Sequence, residues 1–256
     1  MTEPRRFTVV TIFPEFIDAF RRVGIVRKAC DQGLAHIAAV NPREFTQDSR
    51  RTVDDTPYGG GPGMVMLAEP LGKALASLRE AERTPPHVAC LSPQGRRLDE
   101  RGLSELQQHP HLVLLAGRYE GIDERVVERF VDSEWSLGDF VMSGGEIAAM
   151  AIIDALIRRL PGALGDSRSA AEDSFADSGL LDHPHYSRPE VLDGVAVPPV
   201  LLSGNHAAIA RWRRQQALGR TWLRRPELLG RARLSAADRK LLDDFIAMQL
   251  DDSKAP

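Results

Sequence analysis

Along the first 160 residues, apolar positions fall into short blocks whose period alternates between that of a strand and that of a helix. Phe7 to Phe13 is rich in β-branched residues and runs into Pro14, a residue tolerated at the first position of a helix, so a strand followed by a helix is predicted. Leu34 to Val40, Val88 to Leu91 and Leu112 to Ala116 read as further strands. Between them Ile25 to Gln32, Glu69 to Glu82, Glu100 to Gln107 and Glu124 to Phe130 read as helices. Such alternation predicts a mostly parallel α/β layer. A long apolar helix from about Glu146 to Leu160 follows, and Pro161-Gly162 stops it.

The pattern is lost after Gly165. Asp166 to Gly179 is small, polar and without period, and reads as a mobile linker. Pro184, Pro189, Pro198 and Pro199 then hold an extended passage, and two or three helices close the chain. Ser235 and Asp238 resemble the capping box that opens the last of these, Ala236 to Leu250. The expected organisation is an α/β domain over 1–164, a flexible linker over 165–182 and a small helical domain over 183–256. No internal repeat is present.

Composition adds three limits. An apolar fraction of 43% in 256 residues is enough for a real core. Cys30 and Cys90 are the only cysteines and are far apart, so neither a zinc site nor a disulfide framework is indicated and a reducing cytoplasm is expected. No apolar run approaches the roughly 20 residues of a membrane span, and the start, Met1 to Arg6, is polar, so no membrane association is expected. The net charge of -3 hides a local excess: between Asn205 and Leu234 lie eight arginines, Arg211, Arg213, Arg214 and Arg220 among them, opposed by Glu227 alone.

Candidate chemistry lies in the loops. Two glycine-punctuated turns, Gly117 to Gly121 and Leu137 to Gly145, each follow an apolar or strand-like run and suggest one shared pocket, because glycine lets backbone approach a flat ligand. Leu91-Ser92-Pro93-Gln94-Gly95 ends a third strand, and ligands of open α/β sheets bind where such ends converge. Tyr58 to Gly63 is too glycine-dense for a helix or strand and lacks a phosphate-binding lysine; Asp54 and Asp55 beside it favour a ligand-facing loop over a surface turn. Asp173 stands in the polar linker next to Phe175, which needs a surface to bury against and would carry the carboxylate into that contact. Arg158 and Arg159 end the apolar helix, where they complement its dipole or face an anionic intermediate. The histidine pairs His109 with His111 and His183 with His185 lack a third ligand at useful spacing, so no metal site is expected. Arg211-Trp212-Arg213-Arg214 and Arg220-Thr221-Trp222-Leu223-Arg224-Arg225 mix guanidiniums with indoles. They read better as phosphate contacts than as a solvated helix face.

Several runs in the same order resemble the bacterial tRNA (guanine-N1-)-methyltransferase family of the SPOUT class. They are Arg51 to Asp55 with Pro57 to Met64, Leu91 to Gly95, Gly117 to Arg125, Ser143 to Glu146, Glu172 to Phe175, Pro184 to Glu190 and Pro198 to His206. The resemblance implies a deep trefoil knot in the N-terminal domain and a bent S-adenosylmethionine. The donor would be held by Leu91, Ser92, Pro93, Gly117, Tyr119, Glu120, Leu137, Gly138, Asp139, Phe140, Val141, Met142, Ser143, Gly144 and Gly145. It implies as substrate the guanosine at tRNA position 37, 3′ of the anticodon, with Asp173 as general base and Arg158 beside the O6 that gains charge. It implies a homodimer whose active site lies between subunits around the anticodon stem-loop, and a dependence on Mg2+ for which no ligand set is visible. Candidate tRNA contacts are Asp54, Arg211, Arg213, Arg214, Arg220 and Arg224.

The chain departs from the family pattern at Phe140, where tyrosine is frequent, at Ala148, where proline is frequent, and over Ala176 to Gly179, one residue longer. Two other readings compete. One is a non-catalytic RNA-binding protein, which leaves Asp173 and its linker unexplained. The other is a methyltransferase of the same class acting on a different RNA base, against which the match around Asp173 and the C-terminal part argues.

Overall fold

The computed structural model describes residues 3–165, 173–176 and 179–252. The chain divides into two compact units, Met1–Gly165 and Asp166–Pro256. The first is an α/β layer. Its strands β1 (Arg5–Val10), β2 (Ala35–Val40), β5 (His87–Arg97), β6 (His111–Ala116) and β7 (Ser133–Ser136) form one sheet in the order β2-β1-β6-β5-β7, and every pairing is parallel. Helices α1 (Pro14–Phe20), α2 (Gly24–Asp31), α3 (Ala68–Glu80), α4 (Glu100–Leu106), α5 (Glu124–Phe130) and α6 (Glu146–Arg158) join and cover them. A two-residue pair, β3 (Asp54–Asp55) and β4 (Val65–Met66), flanks the glycine-dense loop.

The central strand β6, HLVLLA, is buried at every residue, as a strand covered on both faces must be. Its two faces feed two cores. Leu112, Leu114 and Ala116 pack with Phe7, Val9, Ile152 and Leu156, and Val113 and Leu115 pack with Val10, Met66, Leu71 and Leu75. Three sequence readings need correction. The first strand stops at Val10, because the Thr11 hydroxyl accepts from the Phe13 amide at 3.0 Å and turns the chain before Pro14. The third strand does not end at Leu91: β5 runs to Arg97, interrupted opposite Trp135, so Ser92 to Gly95 is an excursion within it. And Ser133–Ser136, too short and polar to stand out, is the edge strand.

In the second unit, β8 (Val191–Leu192) and β9 (Val195–Ala196) make a small hairpin in the proline-rich passage, and α7 (His206–Arg224), α8 (Pro226–Leu229) and α9 (Ala236–Asp252) follow. The capping box is present: the Asp238 amide donates to Ser235 Oγ at 3.0 Å and the Ser235 amide to Asp238 Oδ2 at 3.1 Å. Gly219 lets α7 meet α9 closely, since a Cβ there would stand 2.5 Å from the Phe245 ring. Most of the linker reading, over 166–172 and 177–178, lies outside the described residues. The described part is tied in: Phe175 N donates to Leu180 O, Asp182 N to Ser174 Oγ, and Leu181 N to Thr221 Oγ1 of α7. Among the described residues, no helix is long and apolar enough to cross a membrane.

Candidate active site

The carboxyl ends of β6 and β7 and the Ser92–Gly95 excursion of β5 lie at the same end of the parallel sheet, and the loops leaving β6 and β7 touch through backbone. The Gly145 amide donates to Gly117 O at 2.9 Å, and Arg118 bridges Gly144 in antiparallel fashion, so the two glycine turns are one structure. A Cβ on Gly145 would stand 2.8 Å from Ala116 Cα, and one on Gly95 2.3 Å from the Trp135 nitrogen, so both positions need glycine for contact with backbone. Ser136 Oγ closes the third loop, accepting from the Gly138 amide and donating to the Gly138 carbonyl. Beyond it Phe140 and Val141 are exposed, which leaves an apolar rim beside the turns.

Beneath the loops lies a buried ion pair that sequence reasoning missed. Glu146, the first residue of α6, is 1% exposed. It accepts from Thr11 Oγ1 at 2.7 Å and from Arg118 Nε at 3.0 Å, while Arg118 also donates to Ser143 O at 3.1 Å and lies 4.5 Å over the Phe13 ring. A carboxylate buried this deeply needs such partners. Both residues stand in the quoted runs, but their pairing depends on β1 delivering Thr11, which no local pattern signals.

Tyr119 adopts a left-handed backbone, φ 60°, at the tip of its turn. Burial first, then the neighbouring Asp54 carboxylate, pushes its phenol up, so the first strand of the β3–β4 pair borders the same loops. The Glu120 side chain rests against Gly63 of the glycine-dense loop, and Glu120 N donates to Met64 O at 2.9 Å. That loop is exposed, with Gly59, Gly60, Gly61 and Gly63 at positive φ.

At the end of α6 the two arginines part. Arg159 is bound to Glu100, to Ser104 Oγ at 3.2 Å and to Gln107 Oε1 at 3.1 Å, a tie to α4 that withdraws it from chemistry. Arg158 is half-buried. Asp173 is exposed, and Phe175 two residues on is 38% exposed with the Arg225 guanidinium 5.9 Å from its ring centre. The expected burial of that ring is therefore partial.

The basic helix is also sorted by the structure. Arg214 is held by Asp238 at 2.7 Å and Arg211 turns to Asp244 at 3.8 Å. Arg213, Arg220 and Arg224, at i, i+7 and i+11, share one stripe of α7. Trp212 is half-buried with its ring 6.4 Å from Tyr186.

The histidines divide as well. His111 is buried, bonded to Thr8 at 2.9 Å and Glu82 at 2.8 Å, a structural role. His183 and His185 do have a third donor, the carboxylate of the preceding Asp182, whose oxygens lie within 4.8 Å of the imidazole nitrogens.

The model of the tRNA (Guanine-1)-methyltransferase TrmD family matches residues 5–231. The chain belongs to this family. Among similar relatives, all called tRNA (guanine-N(1)-)-methyltransferase, that of Chromohalobacter salexigens is 56% identical over 247 residues, covering 94% of this chain and 92% of its own length. That of Aliivibrio salmonicida is 55% identical over 246 residues, 96% and 98%, and that of Photobacterium profundum 54% over 238 residues, 93% and 95%. Family membership covers both units, from β1 to the end of α8.

Proposed function

We propose that the protein transfers a methyl group from S-adenosylmethionine to N1 of guanosine 37 in tRNA. The observation that carries this reading is the backbone-to-backbone closure of the Gly117 and Gly145 turns beside the Ser92–Gly95 excursion, in a chain of this family. The fit to the donor is good. The glycines keep side chains out of the space where these backbone segments meet, and the exposed Phe140 and Val141 offer an apolar wall for an adenosine. Leu91, Ser92, Pro93, Gly117, Tyr119, Glu120 and Leu137 to Gly145 would hold it. When bound, S-adenosylmethionine supplies an electrophilic methyl group on a sulfonium. A trefoil knot through these loops belongs to the same reading.

The chain's own residues would supply proton transfer and charge stabilisation. Guanine N1 carries a proton at neutral pH and becomes nucleophilic only as that proton leaves; Asp173 would take it. Negative charge then grows on O6, where the Arg158 guanidinium would stabilise it. The base must leave its stack to be reached. Arg213, Arg220 and Arg224 would grip the anticodon stem-loop, with Asp54 near the target loop. A cytoplasmic homodimer, its active site between subunits, completes the reading. Mg2+ keeps several waters and is held by one or two carboxylates together with substrate groups rather than by a cage of protein ligands, so no residue is assigned to it and no step is routed through it.

Labelled S-adenosylmethionine offered with unmodified tRNA carrying guanosine or adenosine at position 37 tests this. Label on the guanosine substrate alone, recovered as N1-methylguanosine, is expected. Label on both moves the target, and label on neither, with tRNA still bound, favours a non-catalytic RNA binder.

A further inference from the structure

We propose that Asp182, His183 and His185 form a binding site for one divalent transition-metal ion of the zinc type. The donor atoms of the three side chains lie within 4.8 Å of one another. His185 Nε2 is 2.8 Å from Asp182 Oδ2, and His183 Nε2 is 3.8 Å from Asp182 Oδ1. Two donors on a tetrahedral zinc stand about 3.3 Å apart, given bonds of about 2.0–2.1 Å, so the observed spacings bracket the required one. A cation between them takes the place of the proton that His185 and Asp182 now share.

The surroundings prepare the ligands. His183 Nδ1 is 3.2 Å from Pro184 O, an acceptor only, so the ring proton sits on Nδ1 and Nε2 keeps its lone pair. Asp182 is fixed from behind, its amide donating to Ser174 Oγ at 2.9 Å, and Leu181 N donates to Thr221 Oγ1 at 3.0 Å. Leu180 is 2% exposed and anchors the segment. The His183 side chain is 14% exposed and the Asp182 side chain 25%, while His185 at 72% stands on the solvent side and leaves a coordination position open to water. Two imidazoles and one carboxylate suit zinc, nickel or cobalt and not magnesium or calcium. The site does not depend on the proposed methyl transfer, and its ligands are not among the residues assigned to that reaction.

Calorimetric titration of the full-length chain, without a histidine tag, with ZnCl2 tests the assignment. One zinc per chain is expected, with affinity unchanged by millimolar Mg2+. His185→Ala, at an exposed position that should not disturb folding, and His183→Ala should each weaken binding by at least the roughly 10–100-fold typical of losing a supporting group at a metal site. Zinc binding that survives in both variants, zinc that fails to bind the unaltered chain, or zinc displaced by Mg2+ would each overturn the site.

Discussion

Gly95 and Gly145 are fixed by what stands opposite them, since both have room for φ but none for a side chain. Gly145→Ala forces Ala116 and the Gly117 turn away, and Gly95→Ala forces β5 from β7. Each is expected to cost about 1–3 kcal/mol, read by urea unfolding, and to weaken donor binding more than it slows turnover. Glu146→Ala strands Arg118 over a buried pocket and should destabilise by about 3–5 kcal/mol, because one partner of a buried pair is lost. For Asp173→Asn the expectation is opposite in kind: turnover falls by roughly 10²–10⁴ while stability and donor affinity hold. Undiminished methylation by that variant would remove the base assignment. The glycine turns were legible in the sequence because each glycine is conspicuous among its neighbours. The Thr11–Glu146–Arg118 link was not, because residues 135 positions apart announce no pairing until the strand order is known.

On helix α7 Arg214 is tied to Asp238, and its packing role should separate by experiment from the proposed tRNA grip of Arg213 and Arg224. The Arg214 hydrogen bond holds Asp238 down at about 2, from an ordinary value near 4. A depressed carboxylate stabilises above its unfolded pKa and loses that contribution as pH falls through the folded value, so α7–α9 packing should weaken between about pH 4 and pH 2. Arg214→Ala should remove that part of the acid dependence of unfolding, measured by thermal melts across the range. Arg213→Ala with Arg224→Ala should instead leave the melts alone and flatten the salt dependence of tRNA binding by about one to two units of slope. An unchanged slope would mean the stripe is not the grip. Sequence reading treated all these arginines alike, because density of charge is visible in a string of letters and the identity of the partner is not. The same holds for the edge strand Ser133–Ser136, whose four residues show no alternation to count.

At the scale of the molecule, the α/β alternation, the helical end and most element boundaries followed from hydrophobic period, while the strand order did not. Period fixes which face of an element is apolar; it says nothing of which strands become neighbours across a hundred residues. If two copies assemble as proposed, sedimentation equilibrium of the free protein should return twice the chain mass. The placement of β1 between β2 and β6 has a consequence for biosynthesis. β1 ends at Val10 and its second partner begins at His111, so about 100 residues must be translated before that edge can be covered. At roughly 5–20 residues per second, the nascent chain leaves the ribosome with one row of β1 N–H and C=O groups unpaired for something like 5–20 s. Chaperone demand during synthesis is thus written into the order of five strands.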